Sequence, residues 1–397
     1  MELQENLKNL CLFEDADAQV VTFALDVSQA KPPHPAARSH HKNRLLNWMG
    51  SNECPMAIRK ILWGVSGRIS LFIEKELKPE TEGLFLVAGP GIWQPFELGV
   101  RITDFSYVGR TPYLAPLLEA LTRMPRAYVF RFDQEEGVLE EVWMGGRKEI
   151  ERIPSTAIER DAQHQMSRHS TRSQAGSGRS AVRTGGGGRD RFQHCVEHAV
   201  ESMLHKAADK VMTLQQEAPS KSIYAFGDRK HFPFFRDRLP ASLRSQAIHV
   251  GPVPHRHDAL LAASIKEQQD LRVRNRVEED ISEFQARRAE QCHVASGPEG
   301  ILPLLHTGNV ARVFLDPREP LPGTKCTACG KFAGEGGRQC EACGHVLVVT
   351  SMTQEVIHYA LFHPSVFLTF VPSGESWLRD LGGMAALLTA EHIHSRG

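Results

Sequence analysis

The stretch AYVFRFDQEEGVLEEVWMGG, residues 127–146, decides the fold. Two runs rich in β-branched and aromatic residues flank Glu135-Glu136-Gly137, the signature of a β-hairpin. Composition then changes. Residues 164–191 are mainly Ser, Thr, Gly, Gln and Arg, with six arginines and one acid, Asp190. Such a segment offers almost nothing to a core and reads as a pliable loop. A helix from Asp190 to Gln215 is expected next. Val196, Val200, Met203, Ala207, Val211 and Leu214 form its apolar stripe at helical spacing. SIYAFGD (222–228) and SQAIHVG (245–251) read as buried strands, and Asp258 is placed to cap the helix DALLAASIKEQQ (258–269). Strand, long helix, strand and helix define an α/β domain over residues 124–268.

The flanks extend the pattern. In residues 1–123, VVTFALDV (20–27) reads as a strand and residues 41–63 as a helix broken at Pro55. GRISLFIEKEL (67–77), GLFLVAG (83–89) and WQPFELGV (93–100) read as strands or edges, and YLAPLLEALTRM (113–124) as a short helix. Residues 269–299 are charged and helical, a connecting helix. From residue 300, ILPLLHTGNVARVFLD (301–316) reads as helix, Gly turn and strand. A cysteine-rich insert follows, then LVVTSM (347–352), the helix EVIHYALF (355–362), the strand VFLTFV (366–371) and a Gly-Gly segment ending in MAALL. The expected class is α/β in three domains, the last carrying a zinc knuckle over residues 326–343.

A chain of 397 residues suits two or three domains. Apolar content of 41% and charged content of 24% are those of a globular protein. Lys plus Arg, 47, equals Asp plus Glu, 47, so any nucleic-acid affinity must come from a local patch. The first twenty residues lack the apolar core of a secretory signal, and no run is long enough to span a membrane. The expected location is cytoplasmic, where eight cysteines point to metal binding or free thiols before disulfides.

The strongest local motif is Cys326-x-x-Cys329 with Cys340-x-x-Cys343. Two thiolate pairs on tight turns can present four sulfurs tetrahedrally to zinc. Gly330 and Gly344 follow the pairs and let the chain fold back. A closed four-sulfur shell leaves no position for water, so the metal is expected to be structural. Cys11, Cys54, Cys195 and Cys292 read as ordinary buried or free thiols. His194-x-x-Glu197-His198 matches an inverted zincin pattern and makes a metal-dependent hydrolase the rival enzyme reading. On a helical wheel these residues lie opposite the apolar stripe, with Glu201 and His205, which favours a solvated face. Gly185, Gly186, Gly187 and Gly188 lack the Lys-Ser/Thr of a P-loop and read as a flexible linker before a phosphate cradle. Arg168, Arg172, Arg179, Arg183, Arg189 and Arg191 suit contact with RNA phosphates, against a purely solubilising loop. His255, His257 and Asp258 read as loop and cap residues before acid–base groups.

This order of parts resembles the class-I release factors of archaea and eukaryotes and Pelota. In that family a middle domain opens with a β-hairpin and continues into a basic loop containing Gly-Gly-Gln and a long helix. Residues 127–146 look like the hairpin, RSAVRTGGGGRDRFQHCVEHAVESMLHKAADKV (179–211) like the loop and helix, and GPVPHRHDALLAASIKEQ (251–268) like the closing helix. LLHTGNVARVFLD (304–316), the four cysteines and WLRDLGGMAALL (377–388) are similar to the family's ribosomal-protein-like third domain. The resemblance covers roughly residues 127–395; the first domain, with VVTFALDVSQAK (20–31), looks more like bacterial relatives and shows no codon-reading motif. Counting back from Phe192, Gly185, Gly186 and Gly187 stand in the place of Gly-Gly-Gln. The glutamine, which in the family helps position water against the peptidyl-tRNA ester, is missing. Pelota also lacks it and acts by occupying stalled ribosomes. Balon, a bacterial hibernation factor of the superfamily, occupies the ribosomal A site beside elongation factor Tu. The resemblance therefore implies a ribosome-binding rescue or hibernation factor, a monomer off the ribosome, partnered by elongation factor Tu or a related GTPase. A peptide chain release factor, hydrolysing peptidyl-tRNA, is the alternative.

Overall fold

The computed structural model describes residues 2–15, 17, 20–28, 43, 47, 50, 56–78, 81–143, 146–155, 187–217, 220, 222–253, 258–333 and 337–389. The chain forms two compact units, one of Met124–Asp270 and one joining Met1–Arg123 to Leu271–Gly397.

The unit Met124–Asp270 is built on the expected hairpin. Strands β5 (Ala127–Phe132) and β6 (Glu136–Trp143) pair antiparallel around a turn in which Asp133 Oδ1 accepts from the Glu135 amide at 2.7 Å. A third strand, β7 (Gly146–Pro154), was not foreseen because its alternation, GRKEIERIP, carries few apolar residues. With β8 (Ser222–Phe226) and β9 (Ala247–Gly251) it completes a sheet of order β7-β6-β5-β8-β9, in which β5, β8 and β9 run parallel. The long helix spans Gly187–Glu217, three residues earlier at its start than expected. Val200, Met203, Leu204, Ala207, Ala208 and Val211 pack on Tyr128, Phe130, Phe132 and Leu139, one face of the sheet. Buried aliphatic and aromatic side chains such as these contribute about 1.5–3 kcal/mol each. Ala127, Val129, Tyr224 and Phe226 on the other face pack against Leu261 and Ile265 of the helix Asp258–Ala289.

In the other unit, β1 (Val20–Asp26), β2 (Gly83–Gly89), β3 (Ile92–Leu98) and β4 (Phe105–Gly109) make an antiparallel sheet of order β3-β2-β1-β4. The segment 67–77 is a correction: it is helical, not a strand. The helix Met56–Leu71 runs on into a π-helical turn, Phe72–Glu76. Ile69, Phe72, Ile73 and Leu77 recur at helical spacing, and all are buried against Val21, Phe23, Leu84 and Leu86. Residues 41–55 fall almost wholly outside the described residues. An unforeseen first helix, Glu2–Leu12, buries Leu7, Leu10 and Cys11.

The C-terminal part follows the expected order. Helix Gly297–His306, strand β11 (Val310–Leu315), helix Met352–Phe362, β15 (Phe367–Phe370) and β16 (Met384–Leu388) form an α/β layer with β10 (Val294–Ser296). Its sheet has the order β10-β16-β11-β15. A three-stranded antiparallel sheet of β12 (Pro322–Cys326), β13 (Phe332–Ala333) and β14 (Leu347–Ser351) carries the cysteines. Asp280, on the helix Asp258–Ala289, pairs with Arg312 of β11 and accepts from Thr369 Oγ1 at 3.0 Å, fastening that helix to the sheet. Among the described residues, no helix is long and apolar enough to cross a membrane.

Candidate functional site

Two sequence-marked regions bear chemistry: the four cysteines and the loop-bearing helix. The cysteines converge. Their four Sγ atoms all lie within 4.8 Å of one another. Cys326 Sγ is 3.4 Å from Cys343 Sγ, and Cys329 Sγ is 3.6 Å from Cys340 Sγ. Four sulfurs at about 2.3 Å from one zinc ion stand about 3.8 Å apart, so these spacings fit a tetrahedral thiolate shell. The two turns are alike. The Gly330 amide donates to Cys326 O at 3.1 Å, and the Gly344 amide to Cys340 O at 2.7 Å. Both glycines hold positive φ, +71° and +74°, which a residue with a Cβ adopts only at a cost. The amide of Cys329 points at Cys326 Sγ at 3.5 Å and draws that thiol down to about 6; Cys340 is lowered chiefly by the amide of Ala342. Both sulfurs are thereby biased to the ligating thiolate. The four cysteines could hold a metal ion such as zinc, and among the described residues no other group of three or more His, Cys, Asp or Glu could.

The loop follows β7 and ends where the long helix begins. Arg168, Arg172, Arg179, Arg183, Gly185 and Gly186 lie outside the described residues. Gly187, Gly188, Arg189 and Arg191 belong to the N-terminal end of the helix Gly187–Glu217, not to the loop. His255 and His257 also lie outside the described residues, whereas Asp258 opens the helix Asp258–Ala289. On the long helix, His194 and His198 are exposed, and Glu197 Oε1 accepts from Lys230 Nζ at 2.7 Å. The ammonium forms an exposed ion pair with the one carboxylate of the zincin pattern. Lys230 was not marked in the sequence, because nothing local ties it to a residue 33 positions earlier.

A buried charged network was also missed. Glu140 accepts from Arg131 Nε at 3.0 Å and from Arg147 Nη2 at 2.8 Å, so both of its oxygens are held. Its signal was the pair of carboxylates Glu140 and Glu141 between the apolar residues of GVLEEVW. One carboxylate buried between two guanidiniums braces β5, β6 and β7, the strands leading into the loop.

Residues 112–270 match the family model of bacterial archaeo-eukaryotic release factor family 10. No curated protein matches the sequence. Among solved structures, similarity extends to an archaeal translation termination factor, aRF1, at 11% identity over 98% of this chain and 97% of that one, with a TM-score of 0.24. Pelota of Archaeoglobus fulgidus is 13% identical over 77% of this chain and 78% of its own, with a TM-score of 0.31. Dom34 of S. cerevisiae, described as interacting with Hbs1, is 10% identical over 75% and 74%, with a TM-score of 0.35. Over residues 112–270, then, the chain is similar to bacterial archaeo-eukaryotic release factor family 10.

Proposed function

We propose that this chain is a ribosome-binding translation factor that occupies the A site in hibernation or rescue without hydrolysing peptidyl-tRNA. The observation that carries the reading is the glycine at 187, which stands where the family's loop has its glutamine and opens the long helix. A glycine has no side-chain amide with which to hold water against an ester. The loop's arginines then serve to grip RNA phosphates, and the sheet of residues 124–268 carries the loop. The Glu197–Lys230 ion pair speaks against the metal-dependent hydrolase.

The four cysteines complete the reading. They hold a structural zinc ion, and the closed shell gives that metal a folding role rather than a catalytic one. The protein acts in the cytoplasm as a monomer off the ribosome, with elongation factor Tu or a related translational GTPase as its partner. Two assays test the reading: co-sedimentation with ribosomes, and release of peptide from ribosomes carrying peptidyl-tRNA. Binding without release is expected. Rapid, loop-dependent release would restore the release-factor reading, and no binding would discard both.

A further inference from the structure

A pocket of about 310 Å³ lies between the helix Gly297–His306, the end of β12 and the helix Met352–Phe362. Its apolar floor includes the buried Leu302 and Leu305. Its walls are ring faces. His306 stacks on Phe332, with centroids 5.7 Å apart and an interplanar angle of 17°, and stands edge-on to Tyr359 at 5.8 Å. At one side Lys325 Nζ donates to Glu355 Oε2 at 2.7 Å, so a cationic donor and a carboxylate acceptor sit together beside the rings.

Two lysine ammoniums lie beside these rings. Lys325 Nζ lies 5.5 Å from the centre of the Phe332 ring, and Lys8 Nζ lies 5.4 Å from the centre of the Phe362 ring. Lys8 is exposed, as is Lys331, which precedes Phe332 in the chain. Aromatic faces, a paired donor and acceptor, and lysines at the rim suit a planar base with a polar edge and a phosphate attached. An apolar peptide side chain would cover the rings but bring nothing to the lysines. The size lies within the roughly 300–1,000 Å³ of small-ligand sites.

We propose that this pocket takes one unstacked base of single-stranded RNA, stacked on one and edge-on to the other of His306 and Tyr359, whose planes stand 82° apart, with its edge toward Lys325 and Glu355 and its phosphates toward the lysines. The site is built from residues outside the basic loop and needs no ribosome to be tested. The test uses the full zinc-loaded chain bearing Arg168→Ala, Arg172→Ala, Arg179→Ala, Arg183→Ala, Arg189→Ala and Arg191→Ala, so that none of the loop's six arginines contributes. Fluorescence anisotropy with labelled oligoadenylate and oligouridylate hexamers is expected to show saturable binding. His306→Ala and Tyr359→Ala should each weaken it about tenfold, the usual scale for loss of one stacking partner. Lys8→Glu, on an exposed side chain that leaves the core untouched, should weaken it in low salt and less so in high salt. Phe234→Ala, an exposed aromatic of the other unit, should leave it unchanged. Absence of saturable RNA binding, or binding indifferent to His306→Ala and Lys8→Glu, overturns the proposal. So does displacement of nothing by RNA but capture of a labelled neutral peptide rich in phenylalanine. Failure of ribosome co-sedimentation leaves this measurement unaffected, so the two readings fall separately.

Discussion

The backbone amide of Leu114 donates to Gln354 Oε1 at 2.9 Å across 240 residues of sequence, inside the unit that joins the two ends of the chain. Gln354 is 4% exposed, and its Nε2 faces Cys11 Sγ at 3.8 Å, so one amide side chain ties the first helix and the turn before Ala115 to the helix Met352–Phe362. Gln354→Ala strands a buried amide donor. Such a loss costs about 1–3 kcal/mol. A lowered urea midpoint for this unit is expected; an unchanged midpoint would show that the amide finds water instead.

Cys11 gives a chemical readout of the same contact. Burial, with a smaller push from the Glu355 carboxylate, raises its thiol to about 12. A thiol whose folded value lies above its unfolded one stabilises the fold fully below pH 9, and that contribution is lost as pH rises from 9 toward 12. At pH 8 iodoacetamide should therefore label the exposed Cys292 quickly and Cys11 hardly at all. Mass spectrometry of the digested protein measures both rates. Gln354→Ala should speed Cys11 labelling, and equal rates for Cys11 and Cys292 in the parent chain would contradict the burial.

The zinc proposal has its own test. Elemental analysis should find about one zinc ion per chain, the capacity of one four-sulfur site. Cys326→Ser with Cys340→Ser should abolish it and expose the small sheet around it to protease, since metal affinity at such a site is folding free energy. A chain that stays zinc-free after reconstitution, or a double variant that keeps its zinc, would refute the assignment.

The long helix should be inert toward metal. Substituting His194, Glu197 and His198 by Gln removes the zincin pattern together with the Glu197–Lys230 pair, an exposed contact worth at most about 1 kcal/mol. Ribosome binding and zinc content should both persist. Loss of a second metal equivalent or of a peptidase activity would instead support the hydrolase.

What the sequence made legible follows from how local each signal is. The hairpin of residues 127–143 and the apolar stripe of the long helix were readable because period and turn chemistry are written within a few residues. The cysteine pairs were readable because their spacing is itself the geometry. Residues 67–77 were misread because a short apolar run suits either period, and only packing of Ile69, Phe72 and Ile73 on one sheet decides it. Lys230 beside Glu197, Arg147 beside Glu140 and Leu114 beside Gln354 were not readable at all: each depends on which elements the fold brings together.

Residues 164–191 carry six arginines, and each one that meets a phosphate releases condensed counterion, so binding to ribosomal RNA should weaken steeply with salt. Arg179→Ala, Arg183→Ala, Arg189→Ala and Arg191→Ala together should reduce ribosome binding and flatten its dependence on salt. Restoring a glutamine probes the chemistry separately. Gly187→Gln re-creates Gly-Gly-Gln and removes a poor helix former from the helix start, so the fold should tolerate it. If only the missing amide separates this chain from the hydrolysing members, the variant should gain peptide release on ribosomes carrying peptidyl-tRNA while the parent shows none. Release by the parent chain would mean that another group orients the water. Binding that ignores both the arginines and salt would leave the loop as a solvated linker.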